Sequence, residues 1–285
     1  MFHADGTLAE APIALCEVQA YTYAALRAGA LLAGLAGATG RSGELEAQAA
    51  ALQQRFDREF WCEELGTYAL ALDADKRLCR VRTSNAGHCL FAAIATPERA
   101  ARVAGSLTDD TYFSGWGVRT VASGESRYNP MSYHNGSVWP HDNAMLAAGL
   151  ARYGHKEQAL RITEGLFDAS TWFDLHRLPE LFCGFHRRQN QGPTLYPVAC
   201  SPQAWAAGSV LMLLGSCLGL EVSGPDKEVV FTDPMLPPFL SRIEILGISV
   251  DGASVDVELA QHDGAVGLRV LHSEGDVRVR LEGSG

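Results

Sequence analysis

Arg127-Tyr-Asn-Pro-Met-Ser-Tyr-His-Asn-Gly-Ser-Val-Trp-Pro-His-Asp-Asn-Ala144 gathers two Tyr, two His, three Asn, an Asp, a Trp and two Pro within eighteen residues. A segment this polar and aromatic cannot be a strand or a helix core. Pro130 and Pro140 remove backbone donors from either kind of ladder, and Asn135-Gly136 signals a turn. Such a loop either touches a ligand or is a packed structural loop whose polar groups satisfy one another. Flat aromatic faces beside His, Asn and Asp suit a ligand with apolar ring faces and many hydroxyls, which describes a sugar. At its end the stretch runs into a helical pattern, His141–Tyr153, with Lys156–Trp172 as its partner beyond Gly154.

That alternation of long loop and helix pair extends outward in both directions. Leu8–Ala36 reads as one long helix with Pro12 near its start, apolar or small almost all round, as in a helix buried within an assembly. Ser42 is placed to cap a second helix, whose stripe is Leu45, Ala49, Leu52, Phe56 and Phe60. Tyr68–Leu72 and Arg77–Val81 flank Asp73-Ala-Asp-Lys76, a hairpin signal. Ser84-Asn85 is placed to cap Gly87–Ala95, and Pro97–Leu107 follows as its partner. Phe113–Arg119 is a glycine-broken aromatic loop, Leu178–Cys200 is long and irregular, and Pro202–Leu220 is a strongly apolar helix. About seven helices in such modules would bury their apolar faces best as part of a ring, with loops 113–140 and 178–201 at the same end. Beyond Ser223-Gly-Pro the period changes to two. Ile243/Ile245, Val255/Val257/Leu259, Val266/Leu268/Val270 and Val277/Val279/Leu281 predict short antiparallel strands. The expected organisation is mainly α, with a helical region 1–222 and a small β-rich appendage 223–285.

With 285 residues, 47% hydrophobic and 20% charged, the chain has room for one large domain or two modest ones. A net charge of −10 gives no electrostatic footprint for nucleic acid or anionic membrane. The seven cysteines are scattered with no C-x-x-C pair, which argues against a disulfide framework and a structural zinc site and for reduced, buried thiols. The N-terminus MFHADGTLAE lacks the basic and apolar regions of a signal peptide, and the apolar runs Ala24–Ala36 and Ser209–Leu220 are too short and interrupted to span a bilayer. A cytoplasmic protein without metal or cofactor is expected. Gly115-Trp-Gly117 lacks the third glycine and preceding strand of a dinucleotide fingerprint, and neither a P-loop nor Gly-x-Ser-x-Gly occurs. No spacing supports Cys183 or Cys200 with a histidine as a nucleophile pair.

Three segments, Tyr133-His-Asn-Gly-Ser-Val-Trp-Pro-His141, Leu178-Pro-Glu-Leu-Phe182 and Ser201-Pro-Gln-Ala-Trp205, together resemble the bacterial amylo-α-1,6-glucosidase (glycogen-debranching-like) glycoside hydrolases. The helix segment Glu17-Val-Gln-Ala-Tyr-Thr-Tyr23 resembles the same group, and the likeness covers roughly 1–245. The resemblance implies an (α/α)6-toroid of the six-hairpin glycosidase type, here a partial barrel incomplete at its N-terminus with a short antiparallel β appendage. It implies inverting hydrolysis of α-glucosidic bonds, α-1,6 branch points of glycogen-like oligosaccharides among them, and an α-glucan or oligosaccharide partner. The group's general acid lies in a tryptophan-containing segment that would fall upstream of Met1, so this chain alone is expected to be catalytically dead.

Inverting hydrolysis uses two carboxyls roughly 6.5–9.5 Å apart, one protonating the leaving oxygen and one activating water. From the residues alone, Glu180 is either a loop-ordering carboxylate or part of a site, since it follows Pro179 in an irregular, aromatic-flanked segment. The resemblance gives it the base role. Asp142, the next carboxylate, sits at a helix start, where the dipole favours it whether or not it meets sugar. His134, Asn135 and Trp139 are expected at the hydroxyls and ring face of a terminal glucose, although His134 and His141 singly also fit structural histidines. Gln203 and Trp205 stand near the base in the family pattern, and Trp116 and Arg119 are loop candidates for aglycone contacts. The competing possibilities are a carbohydrate-binding protein without turnover and a helical scaffold.

Overall fold

The structure is a computed structural model describing residues 1–262 and 264–283. The chain divides into two compact units, Met1–Ser209 and Val210–Gly285. Helix makes up 38% and strand 22%, so the chain is mixed and the mainly α expectation holds in part.

In the first unit, β1 (Ala14–Leu15) leads directly into α1 (Cys16–Leu35), and a short turn leads into α2 (Thr39–Phe60). The helix expected from Leu8 therefore starts later, because Ala14 and Leu15 are used for strand pairing. Arg27 pairs with Glu46 and Ser42 Oγ donates to Ala30 O, so α1 and α2 run antiparallel. Ser42 thus ties two helices together and does not cap α2, which starts three residues earlier. The expected stripe turns inward at Ala49, Phe56 and Phe60, the last two rings stacking at 4.8 Å. On α1 the expectation of a helix buried all round fails, since Leu31, Leu32 and Leu35 are exposed.

Two-residue ladders follow: β2 (Trp61–Cys62) with β3 (Thr67–Tyr68), and β4 (Ala71–Leu72) between β1 and β5 (Leu78–Cys79), all antiparallel. The hairpin at Asp73–Lys76 is present, with Asp73 Oδ1 accepting from the backbone N–H of Asp75 and Arg77. Helix α3 (Asn85–Phe91) is shorter than expected, and Ser84 is itself in a helical conformation without a capping bond. Helix α4 (Pro97–Leu107) matches its sequence signals, because Thr96 accepts from Arg99 N–H and Pro97 fits the first turn. Helices α5 (Pro140–Arg152) and α6 (Lys156–Ser170) form the next pair. Gly149 lets α5 approach α3 closely, since a Cβ there would stand 2.5 Å from Phe91 N. The first unit ends in α7 (Ala204–Leu218), within which the boundary between the units falls.

The second unit has its own core of Leu218, Val229, Phe231, Leu236, Val250, Val255, Val257 and Leu259. One sheet is β6 (Leu220–Ser223), β7 (Glu228–Thr232) and β11 (Arg278–Glu282); the other is β8 (Arg242–Val250), β9 (Ala253–His262) and β10 (Ala265–Glu274). The expectation of short antiparallel strands needs two corrections. Strands β8 to β10 run for nine or ten residues, and β11 pairs with β7 in parallel. A period of two marks a strand and its inward face but carries no information on the partner's direction. Among the described residues, no helix is long and apolar enough to cross a membrane.

Candidate active site

The two long loops of the first unit lie side by side. Arg119 bridges to Val138, Val138 to Phe182, and Phe182 to Leu195, each antiparallel. Val138 and Phe182 exchange both backbone bonds, at 2.9 and 3.0 Å. Asn143, buried on α5, fastens the 113–119 loop by accepting from Val118 N–H at 2.6 Å and donating to Val118 O at 3.0 Å. The turn expected at Asn135-Gly136 is present in the bridged fabric, with Gly136 at φ +138° and packed against the Tyr128 ring and Asn129 O. The 113–140 loop, with the N-terminal residues Met1 and Phe2, α1, α3, α5 and the start of α7, walls a cavity of about 590 Å³.

Rings dominate one side of that cavity. The His141 and Trp205 rings stack at 4.0 Å, Trp139 meets Tyr133 edge-on at 4.9 Å, and Tyr133 meets His134 at 4.6 Å. Trp139 Nε1 donates to Tyr133 O and Ser137 Oγ, at 3.1 and 2.9 Å, which fixes its indole plane. Trp205, which the apolar pattern of its helix would place in a core, is 47% exposed and lines the cavity. His134, Asn135, Trp139, His141 and Asp142 line it too. Burial lowers the pKa of His141, against an opposing pull from Asp142, and its Nδ1 is buried without a hydrogen-bond partner.

Glu180 stands immediately behind Tyr133. The Tyr133 hydroxyl donates to its Oε1 at 2.7 Å and Cys200 N–H donates to Oε2 at 3.2 Å, with the Gln203 side chain close enough to help lower the carboxyl pKa. Glu180 N–H in turn donates to Cys200 O at 2.9 Å, so the carboxylate and its backbone are both anchored to one loop. The Tyr133 hydrogen bond, with the Cys200 bond and the nearby Gln203 side chain, outweighs burial and holds the carboxyl below its ordinary range. The same contact pushes Tyr133 up to about 12, which keeps its hydroxyl a donor.

Four expected site residues do not line the cavity: Glu180 and Gln203, which stand behind Tyr133, and Arg119 and Trp116, which pack within the loops. Arg119 is fully buried and donates through Nε to Gly184 O at 2.7 Å and through Nη1 to Asp110 and Thr111 carbonyls. Trp116 is buried beneath the Arg187 guanidinium at 4.2 Å. Neither lines the cavity. Conversely, Glu17 and Asn85 line it although neither was expected as a site residue, and Asn85 Nδ2 donates to Glu17 Oε2. Behind Asp142, His88 Nε2 bonds Asp142 Oδ1 at 2.5 Å, and the Tyr21 hydroxyl bonds His88 Nδ1 at 2.5 Å. A sequence signal existed: Glu17 and Tyr21 share one face of α1, and Asn85 and His88 one face of α3, each a polar pair on an otherwise apolar face. Among the described residues, no three His, Cys, Asp or Glu side chains are grouped as a metal site would require.

The mannosylglycerate hydrolase MGH1-like glycoside hydrolase domain matches residues 4–172, more than half of the chain. The chain belongs to that family of glycoside hydrolase domains. No curated protein sequence matches it. Among solved structures, the mannosylglycerate hydrolase of Thermus thermophilus in complex with glucose is similar over 70% of this chain and 45% of its own, with 20% identity and a TM-score of 0.57. The rhamnosidase of Bacillus sp. GL1 is similar over 94% of this chain and 26% of its own, with 20% identity and a TM-score of 0.68. Neutral trehalase of Saccharomyces cerevisiae is similar over 72% and 38%, with 14% identity and a TM-score of 0.55. The chain thus spans less than half the length of these structures, which are glycosidases of the six-hairpin toroid type.

Proposed function

We propose that the region 1–222 carries an inverting α-glucosidase site, with Glu180 as the general base. The observation that supports it is the Glu180 carboxylate, 7% exposed and held at both oxygens next to a ring-lined cavity of sugar size. A carboxylate kept ionised by Tyr133 takes a proton from water as the water oxygen attacks the anomeric carbon. The glycosidic C–O bond breaks on the opposite face, and a second carboxyl protonates the leaving oxygen. Trp139 and Trp205 offer ring faces to the apolar side of the sugar, while His134, Asn135, His141 and Asp142 face its hydroxyls. Gln203 steadies the base. Arg119 and Trp116 hold the loops in place, so their contribution to substrate contact is indirect.

The substrate class we infer is a neutral glucoside, α-1,6-linked branches of glycogen-like oligosaccharides in particular. Glu17 and Asp142 on the cavity wall would repel an anionic aglycone such as glycerate. The region carrying this function is taken as 1–222, with 223–285 as an appendage.

Glucosyl fluoride isolates the base half of the reaction, because fluoride departs without a proton from an acid. Hydrolysis of α-D-glucosyl fluoride by this chain should fall about 10²–10⁴-fold in Glu180→Gln, the usual contribution of a general base. A Glu180→Gln variant that hydrolyses it at the wild-type rate would remove Glu180 from the base role. Competition by neutral isomalto-oligosaccharides, but not by a glucosylglycerate, would support the substrate class.

A further inference from the structure

Three helices of the first unit meet along a polar seam that runs from the protein surface to the cavity. Helix α1 supplies Tyr21, α3 supplies His88, and α5 supplies Asp142, linked by two hydrogen bonds of 2.5 Å. His88 and Asp142 are each only 7% exposed. Facing a carboxylate acceptor, His88 Nε2 carries the proton, and in the neutral ring Nδ1 then accepts from the Tyr21 hydroxyl. Burial works against a charged His88 ring, but the hydrogen bond and charge of Asp142 outweigh it and move the imidazole upward. Burial, with Glu17 and Asp142 adding to it, pushes Tyr21 well above the ordinary tyrosine range, so its hydroxyl remains a donor.

Asp142 is therefore held through Oδ1, and its Oδ2 is buried with no hydrogen-bond partner. A buried acceptor left unsatisfied is destabilising. Asp142 lines the cavity between His141, whose ring stacks on Trp205, and the Glu17–Asn85 pair. Oδ2 is closed to solvent in this structure, so a ligand hydroxyl entering along the Trp205 and Trp139 faces supplies the missing donor once the cavity wall gives enough to open that oxygen. We propose that Asp142 Oδ2 receives a hydroxyl of the bound sugar, and that His88 and Tyr21 are positioning residues that hold the carboxylate in the orientation required. This rests on the glycosidase reading of the cavity and extends it to two residues that lie behind the wall.

The test combines ring nitrogen NMR of His88 with D-glucose titration and melting, in the wild type and in Asp142→Asn, His88→Gln, His88→Leu and Tyr21→Phe. Glucose should shift the His88 Nε2 resonance of the wild type. Asp142→Asn should weaken glucose binding about 10–100-fold, the effect of losing a hydrogen bond to a charged acceptor. His88→Leu should weaken it about tenfold, whereas His88→Gln, whose amide donates from nearly the same place, should bind close to wild type. On α-D-glucosyl fluoride the His88→Leu and Tyr21→Phe losses should appear mainly in KM. If the wild type binds glucose while folded Asp142→Asn and His88→Leu bind it equally well, the assignment is overturned and the base role of Glu180 is untouched. A His88→Leu variant that melts earlier but binds glucose normally would reduce the seam to a structural device, and also overturns it. If the wild type neither binds glucose nor hydrolyses the fluoride, the glycosidase reading fails and this assignment falls with it.

Discussion

Tyr133 and Glu180 form the pair on which the proposed chemistry turns. Glu180 is held below its ordinary pKa of 4.5, with the Tyr133 hydroxyl as the leading cause. The ionised base therefore persists above that lowered value and is lost as pH falls through it. In Tyr133→Phe the carboxyl moves back up, so the acid limb of kcat/KM on α-D-glucosyl fluoride should shift to higher pH. An acid limb unchanged in Tyr133→Phe would show that the hydroxyl does not set the ionisation of Glu180. Single residues were unevenly legible in the sequence. Glu180 follows a proline in an irregular segment, which by itself leaves a loop-ordering carboxylate open, and only the family resemblance gives it the base role. Arg119 was misleading, because a loop arginine says nothing of the direction in which its guanidinium points, and here it points inward to Gly184 O. His88 and Tyr21 were missed because each bonds a residue more than fifty positions away in sequence.

The elements that position this pair depend on close approach and on a few polar fasteners. Gly149→Ala should bring a carbon 2.5 Å from Phe91 N, a backbone atom that cannot simply turn aside. Overpacking of this kind costs about 1–3 kcal/mol, against a gain of about 1 kcal/mol in helix propensity. Denaturant titration should therefore show net destabilisation, and a midpoint at or above wild type would contradict the tight α3–α5 contact. Asn143→Leu should cost on the order of 2–4 kcal/mol, because it leaves the N–H and C=O of Val118 buried without their partner. Helices with local punctuation were readable to the residue, as α4 was from Thr96 and Pro97. Boundaries set by pairing were not. The start of α1 depends on Ala14 and Leu15 meeting Leu72 and Ala71, a contact that hydropathy within one helix cannot register. Ser42 has the chemistry of a cap and a bonding partner on another helix, and local sequence does not distinguish the two.

At the scale of the whole chain, the change of period after Ser223 marks β-rich sequence only past β6 (Leu220–Ser223), and the parallel placement of β11 on β7 was beyond the reach of periodicity. The second unit should depend on its own core, and Phe231→Ala, at a fully buried position, should cost it about 3–5 kcal/mol by circular dichroism melting. Of the seven cysteines, Cys200 is exposed and the other six are buried, so thiol titration should find one fast group in the native protein and the rest on unfolding. Two or more fast thiols in the native state would contradict the packing described. The central claim, that this glycoside hydrolase domain holds an inverting base at Glu180, is tested most directly by one NMR experiment. The anomer of glucose first released from α-D-glucosyl fluoride would be followed in the wild type and in Glu180→Gln. The account requires β-glucose first, at a rate reduced at least about 10²-fold in the variant. Release of α-glucose first, or an undiminished rate in Glu180→Gln, would contradict it.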